Sequence, residues 1–265
     1  MTLRWRLTLR VLALAYLAAL LAIPVAMVFV RTFEGGLVPA LEAVTTPAAQ
    51  HAFWLTITMV AIAVPLNTAF GIGLALALVR GRWRAKTLVS AIVDLPFAVS
   101  PVVVGLALIL VYGNKGWIGG VLAEQGVRVI FSTPGMVLAT IFVSLPFVVR
   151  EVVPVLREIG TEQEEAASTL GAGGVQTFLR VTLPAIRWGV AYGVILTTAR
   201  ALGEFGAVAV VSGKIEGQTE TMTLFVEQRF QAFDLAGAYA ASVVLALLAL
   251  AVIGTMTLLD RRKET

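Results

Sequence analysis

The chain has 265 residues, of which 58% are apolar and only 14% charged, with a net charge of +4 at pH 7 and a mean hydropathy of +0.91. Soluble domains carry about 45–50% apolar and about 25% charged residues, so most of this chain is built for lipid rather than water. The absence of cysteine excludes disulfides, thiol nucleophiles and thiolate metal sites, and a single histidine, His51, excludes a multi-histidine metal centre.

A helix that crosses the roughly 30 Å lipid core needs about 20 apolar residues. Taken in chain order, six segments meet that requirement: 11–30, 53–79, 87–112, 135–156, 186–212 and 237–259. The first is preceded by Arg4, Arg6 and Arg10, as a secretory signal would be. Its charge-free run is too long for a signal core, and further spans follow, so it reads as an uncleaved anchor. A β-barrel is excluded because these runs do not alternate between apolar and polar residues. The third span carries Asp94 close to its start, with Pro96 and Pro101 beside it, and prolines that remove backbone donors kink or break a helix. The outer segments 31–52 and 113–134 read as loops, and His51 in the first of them reads as incidental.

Lys and Arg placement sets the orientation. The N-tail, the loop 80–86, the connection 150–187 and the C-tail together hold fourteen basic residues. The opposite side holds five, namely Arg31, Lys115, Arg128, Lys214 and Arg229, and Arg200 lies within a span. Both termini are therefore expected on the cytoplasmic side. The pI of 9.8 follows from this asymmetry and does not call for a nucleic-acid partner.

The connection 157–185 is too long and too patterned for a turn. Thr161 and Glu164 have capping-box spacing, and Glu162, Glu164 and Glu165 suit the positive end of a helix. Ala166, Ala167 and Leu170 fall on one side as a smooth apolar edge, and Gly171 is suited to end the helix because glycine enters the left-handed region freely. A second helical piece carries Val175, Phe178 and Leu179, and Leu183-Pro184 then places a proline at the start of the fifth span. The periodicity fits either a solvated surface loop or a short helix offered to a partner.

In the fifth span Gly189 and Gly193 have the spacing that lets two helices approach closely. Arg200 and Glu204 lie four residues apart on one helical face and can pair. Intramembrane charges are costly and face a bundle interior or a wet path. The residues alone fit either a self-neutralising structural pair or a contribution to a permeation pathway.

The run Glu165-Ala166-Ala167, then Gly171, then Val181-x-Leu183-Pro184 resembles the coupling motif of the permeases of ATP-binding-cassette importers. Asp94-Leu95-Pro96-Phe97-Ala98-Val99-Ser100-Pro101 and Gly203-Glu204-Phe205-Gly206-Ala207 resemble the sulfate/thiosulfate permeases, and the stretches Thr161 to Tyr192 and Ser212 to Thr219 resemble their W type. The run from Gly203 to Ala207 is shared with molybdate permeases. The likeness covers about residues 10 to 258.

It implies a single all-α transmembrane permease domain over 1–265, of the type I importer fold, with six spans and a cytoplasmic coupling helix at 162–171. It further implies a bacterial inner-membrane location and a T-type permease partner. Two cytoplasmic ATPase subunits would carry ATP-Mg, and an extracytoplasmic protein would bind sulfate. The chain itself would bind no cofactor and no metal, and it has no phosphate loop for ATP. Glu164, Glu165, Ala166, Ala167, Leu170, Gly171, Leu183 and Pro184 would couple to the ATPase. Arg200, Glu204 and Asp94 would be pathway or intramembrane charges, and Pro96, Pro101, Gly189, Gly193, Gly203 and Gly206 helix breaks or packing points. A molybdate or tungstate permease and an ion-coupled secondary transporter are the alternatives. The second would be favoured by an inverted repeat or a midspan ion site, and the sequence displays neither.

Overall fold

The computed structural model describes residues 3–263, with side chains from 7 to 256, and every regular element among them is helical. Arg4, Arg6, Arg261, Arg262 and Lys263, which the orientation argument uses, lie outside the described side chains. Helices α1 (Leu3–Leu17) and α2 (Ile23–Phe33) run together through a wider π-type turn at Ala18–Ala22 as one apolar helix. After α3 (Leu37–Thr45) the long α4 (Pro47–Arg80) crosses back, its first turn capped by Thr46, whose hydroxyl accepts from the Ala49 amide at 3.2 Å. His51 therefore lies inside a helix rather than in a loop.

The third span is not a straight helix. It is α5 (Lys86–Ala98) followed by α6 (Pro101–Tyr112), with the two axes bent by 113°. Pro101 is the physical cause. The residue before a proline is driven out of the helical region, and Val99 and Ser100 both have extended ψ angles, 135° and 134°. Pro96 sits in the last turn of α5, where its missing donor weakens the same helix end.

Beyond α7 (Gly119–Glu124), α8 (Thr133–Glu158) is the most buried span, with short helices α9 (Glu162–Thr169) and α10 (Gly174–Thr177) at its far end. The fifth crossing begins with α10, passes through a second π-type turn at Phe178–Thr182, and continues as α11 (Leu183–Leu202). Pro184 is thus inside a continuous helix rather than at its start. Both π-type turns end two residues before a proline, Pro24 and Pro184. Widening the helix relieves the clash between a proline ring and the carbonyl four residues back. The expected span 186–212 ends early, at Leu202. Residues 203–205 break it, and α12 (Gly206–Val211) follows. The chain closes with α13 (Met222–Gln231) and α14 (Leu235–Lys263).

Helices α4, α8 and α11 form the centre. Their meeting point is Val148: a Cβ on Gly71 would fall 2.7 Å from the Val148 Cβ, and one on Gly193 would fall 2.9 Å from the Val148 Cα. Only glycine on α4 and α11 permits this approach, and dispersion across such close helices replaces the hydrophobic drive that lipid does not supply. Asn67, fully buried, adds a polar tie by donating to Ser144 Oγ at 2.8 Å and to the Ile141 carbonyl at 3.1 Å. By contrast, the helix Leu7–Phe33 buries none of its apolar stretch, which leaves that surface for lipid or another subunit.

Candidate functional sites

Two regions collect the chemistry, one at the end of the bundle where Arg80, Arg157 and Arg180 lie, the other where the broken helices meet. At the basic end, the expected capping box does not form. The Thr161 hydroxyl donates to Glu165 Oε1 at 2.7 Å, and Glu164 turns inward instead. Its carboxylate accepts from Arg80 Nε at 2.9 Å, from Arg80 Nη2 at 3.3 Å and from Thr182 Oγ1 at 2.8 Å. The same guanidinium donates to the Leu156 carbonyl at 3.1 Å and the Gly160 carbonyl at 2.5 Å. One arginine thereby ties the ends of α4 and α8 to α9, and Glu164 extends the tie to the π-type turn within the fifth crossing. Charge-assisted hydrogen bonds of this kind are stronger and more directional than neutral ones. Eighty-four residues separate Arg80 from Glu164, so no local spacing announces the pair.

The opposite face of α9 is uncovered. Leu170 is 88% and Val175 75% exposed, Ala166 is exposed and Ala167 half-buried. Gly171 has φ +84° and closes the helix by donating to the Ser168 carbonyl at 3.0 Å, a conformation that a β-branched residue resists. Leu183 packs into the cluster of Leu156 and Ile186 at the base of the spans, whereas Pro184 is exposed.

In the second region the two breaks face each other. A Cβ on Gly206 would lie 2.9 Å from the Pro101 Cβ, and one on Gly105 would lie 2.7 Å from the Val210 Cβ and 2.9 Å from the Ala207 carbonyl. Gly203 has no comparable contact, and nothing in its surroundings requires glycine. Arg200 and Glu204 are brought together, with Nη1 2.7 Å from Oε2, but across a helix end rather than along one helical face. The contact is an ion pair without hydrogen-bond alignment. The other oxygen of Glu204 accepts from the Ala207 amide at 3.0 Å, so this buried carboxylate also anchors the start of α12. Asp94 receives Arg150 Nε at 2.7 Å and a second guanidinium contact. Each broken crossing thus carries one arginine–carboxylate pair near its break. Discontinuous helices are tolerated at membrane depth where they line a cavity or are buried in protein.

Glu220 was not visible as a special residue in its polar loop. It is 1% exposed, and neither carboxylate oxygen has a hydrogen-bond donor among the described residues. The loop folds inward because the Met222 amide donates to Thr56 Oγ1 at 2.9 Å. Burial, reinforced by the charge of Glu216 and opposed by Arg229, raises the Glu220 pKa from 4.5 to about 7. The folded state therefore holds the proton that the unfolded chain releases, and the stability this contributes is full below pH 4.5 and lost as pH rises through about 7. Glu220→Gln is expected to raise the apparent melting temperature at pH 8, at about 2–4 °C per kcal/mol for a chain of this size, and to change little at pH 4.5. Thermal unfolding of the purified protein across pH checks this, and equal melting temperatures at pH 8 would refute it.

A polytopic helical bundle with paired helix breaks in its core and an exposed helix at one end is the architecture of a membrane transport subunit. A family model for binding-protein-dependent transport system inner membrane components matches residues 67–265. The chain is 52% identical over 251 residues to the sulfate transport system permease protein CysW of Synechocystis, covering 95% of this chain and 91% of the relative. It is 47% identical to the CysW of Escherichia coli K12 over 93% of this chain and 85% of that one, and 39% identical to the CysT of Synechococcus elongatus over 90% and 86%. A bacterial ABC transporter involved in the import of the acidic polysaccharide alginate shares the fold at a TM-score of 0.80 and 20% identity, with 97% of this chain and 96% of the other covered. The chain belongs to the family of binding-protein-dependent transport system inner membrane components.

Proposed function

We propose that the chain is the W-type permease subunit of an ATP-driven sulfate/thiosulfate importer in a bacterial inner membrane, with both termini cytoplasmic. Its partners would be a T-type permease, two cytoplasmic ATPase subunits that use ATP-Mg, and an extracytoplasmic sulfate-binding protein. The chain forms half of the pathway and has no nucleotide site of its own. The observation that carries the reading is α9, exposed on one face and fastened on the other by Glu164 to Arg80 and Thr182. Relatives named as sulfate permeases of both types, at 39–52% identity, support the substrate and the pairing.

In this reading, closure of the ATPases pushes on α9 and on the residues around it, Glu165, Ala166, Ala167, Leu170 and Gly171. The Arg80–Glu164 tie passes the motion to α4, α8 and α11. The paired breaks at Pro101 and Gly206 then open the outer side. Arg200 adds positive potential for an oxyanion, and Glu204 keeps the affinity low enough for release. Copurification of the intact membrane complex, with sulfate uptake measured against ATP and against an ion gradient alone, tests the proposal. Uptake that follows the ion gradient without an ATPase partner would overturn it. Gly171→Val is expected to leave the protein in the membrane while uptake falls about tenfold and ATPase activity persists, because the C-terminal closure of α9 is strained.

A further inference from the structure

We propose a tetrahedral-oxyanion site at the basic end of the bundle, in the cleft between α5 and α8 and distinct from the Arg200–Glu204 pair. A cavity of about 490 Å³ lies there, walled by Leu78, Val93 and Val149 and carrying Lys86, Thr87, Ser90, Asp94, Arg150 and Arg157. Lys86 opens α5 and Arg157 lies in the last turn of α8. Asp94 and Arg150 lie eight residues further along α5 and seven before Arg157 on α8, so the lining extends about 10–12 Å along the two helices at 1.5 Å per residue.

Three features assign it to an anion. The single carboxylate is already occupied by Arg150 through two contacts, which leaves no free acid for a metal cation. Three cationic side chains against that one acid leave two net positive charges. Lys86 donates only to the Val79 carbonyl, at 3.3 Å, and Arg157 has no acidic partner among the described residues. The Thr87 and Ser90 hydroxyls make no hydrogen bond within the described chain, so both remain available as donors, as an oxyanion requires. Arg150, with 56% of its side chain exposed, is consistent with a wet cleft, because intramembrane charge faces water or protein rather than hydrocarbon.

The ligand chemistry is a tetrahedral oxyanion of charge −1 to −2, supplied either by free sulfate or by the phosphodiester headgroup of an anionic lipid. Asp94 holds one of the three cations, which keeps the site weak. In the transport reading proposed above, on which its place on the cytoplasmic side rests, a weak site here retains the anion briefly before release.

The chain has four lysines, Lys86, Lys115, Lys214 and Lys263, so acetylation footprinting of the intact membrane complex reads the site directly, with three internal controls. In nanodiscs of phosphatidylcholine alone, millimolar sodium sulfate is expected to slow Lys86 acetylation about fivefold relative to sodium chloride of equal ionic strength, which corresponds to about 1 kcal/mol. The other three lysines should not change. In nanodiscs containing phosphatidylglycerol, protection without sulfate identifies the headgroup as the occupant, and protection only on adding sulfate identifies the free ion. Arg157→Gln should remove the protection in either case. No selective protection of Lys86 by either anion, or protection that survives in Arg157→Gln, would overturn the proposal. Because footprinting needs no transport, failure of ATP-driven uptake would count against the transport reading alone.

Discussion

Arg80→Gln is expected to lower sulfate uptake at least about tenfold, while the protein still inserts and its complex still hydrolyses ATP. In the intact chain, the guanidinium makes four hydrogen bonds that reach Glu164, Leu156 and Gly160. Glutamine is too short and too poor in donors to replace a planar fork that serves three segments at once. Removing it leaves the Glu164 carboxylate, 22% exposed, with Thr182 as its remaining partner. A half-buried charge stripped of its partner costs roughly 1–3 kcal/mol, enough to free α9 from the spans without unfolding a bundle centred on Val148. The signature is therefore loss of communication: ATPase activity that no longer responds to the binding protein. Glu164→Gln keeps an acceptor for Arg80 and should be milder. Normal coupled uptake by Arg80→Gln would show that α9 transmits motion by another route.

The spans were legible because lipid imposes a length and a composition that no other solvent demands. The break in the third span was legible in part. Pro96 and Pro101 announce the break, but the 113° angle and the seating of α6 on α12 through Gly105 are encoded in no local pattern. The break at 203–205 has no proline at all. There Glu204 leaves the helix to bind the Ala207 amide and approach Arg200, and the apolar run on either side hides it. The capping-box reading failed for a related reason. Local spacing offered Glu164 to Thr161, but Arg80 and Thr182, distant in sequence, compete for the same carboxylate and offer charge as well as hydrogen bonds. Glu220 sits in a run of threonines and glutamates that reads as solvated loop, and only the tertiary course of the chain over Thr56 buries it. The Arg200–Glu204 pair was legible from its spacing, whereas the partners of Arg80 and Asp94 were hidden because they lie far away in the sequence.

Arg200 and Glu204 permit a sharper test, since removing one charge and removing both make opposite demands. Arg200→Met strands a carboxylate that is 2% exposed, and an unpaired buried charge costs about 3–5 kcal/mol. The single variant should therefore assemble poorly and transport poorly, and the two losses cannot be separated in it. Adding Glu204→Gln removes the stranded charge, and the amide oxygen still accepts from the Ala207 backbone. Replacing both members of a buried pair by neutral groups is close to neutral for stability. The double variant is expected to regain assembly to near the level of the intact protein. If Arg200 has the pathway role proposed for it, uptake should stay at least about tenfold lower, because that role needs the positive charge the double variant lacks. Subunit copurification and uptake kinetics at saturating binding protein measure the two quantities side by side. If the double variant recovers uptake along with assembly, the pair only holds the broken helix together, and the potential along the pathway must come from other residues.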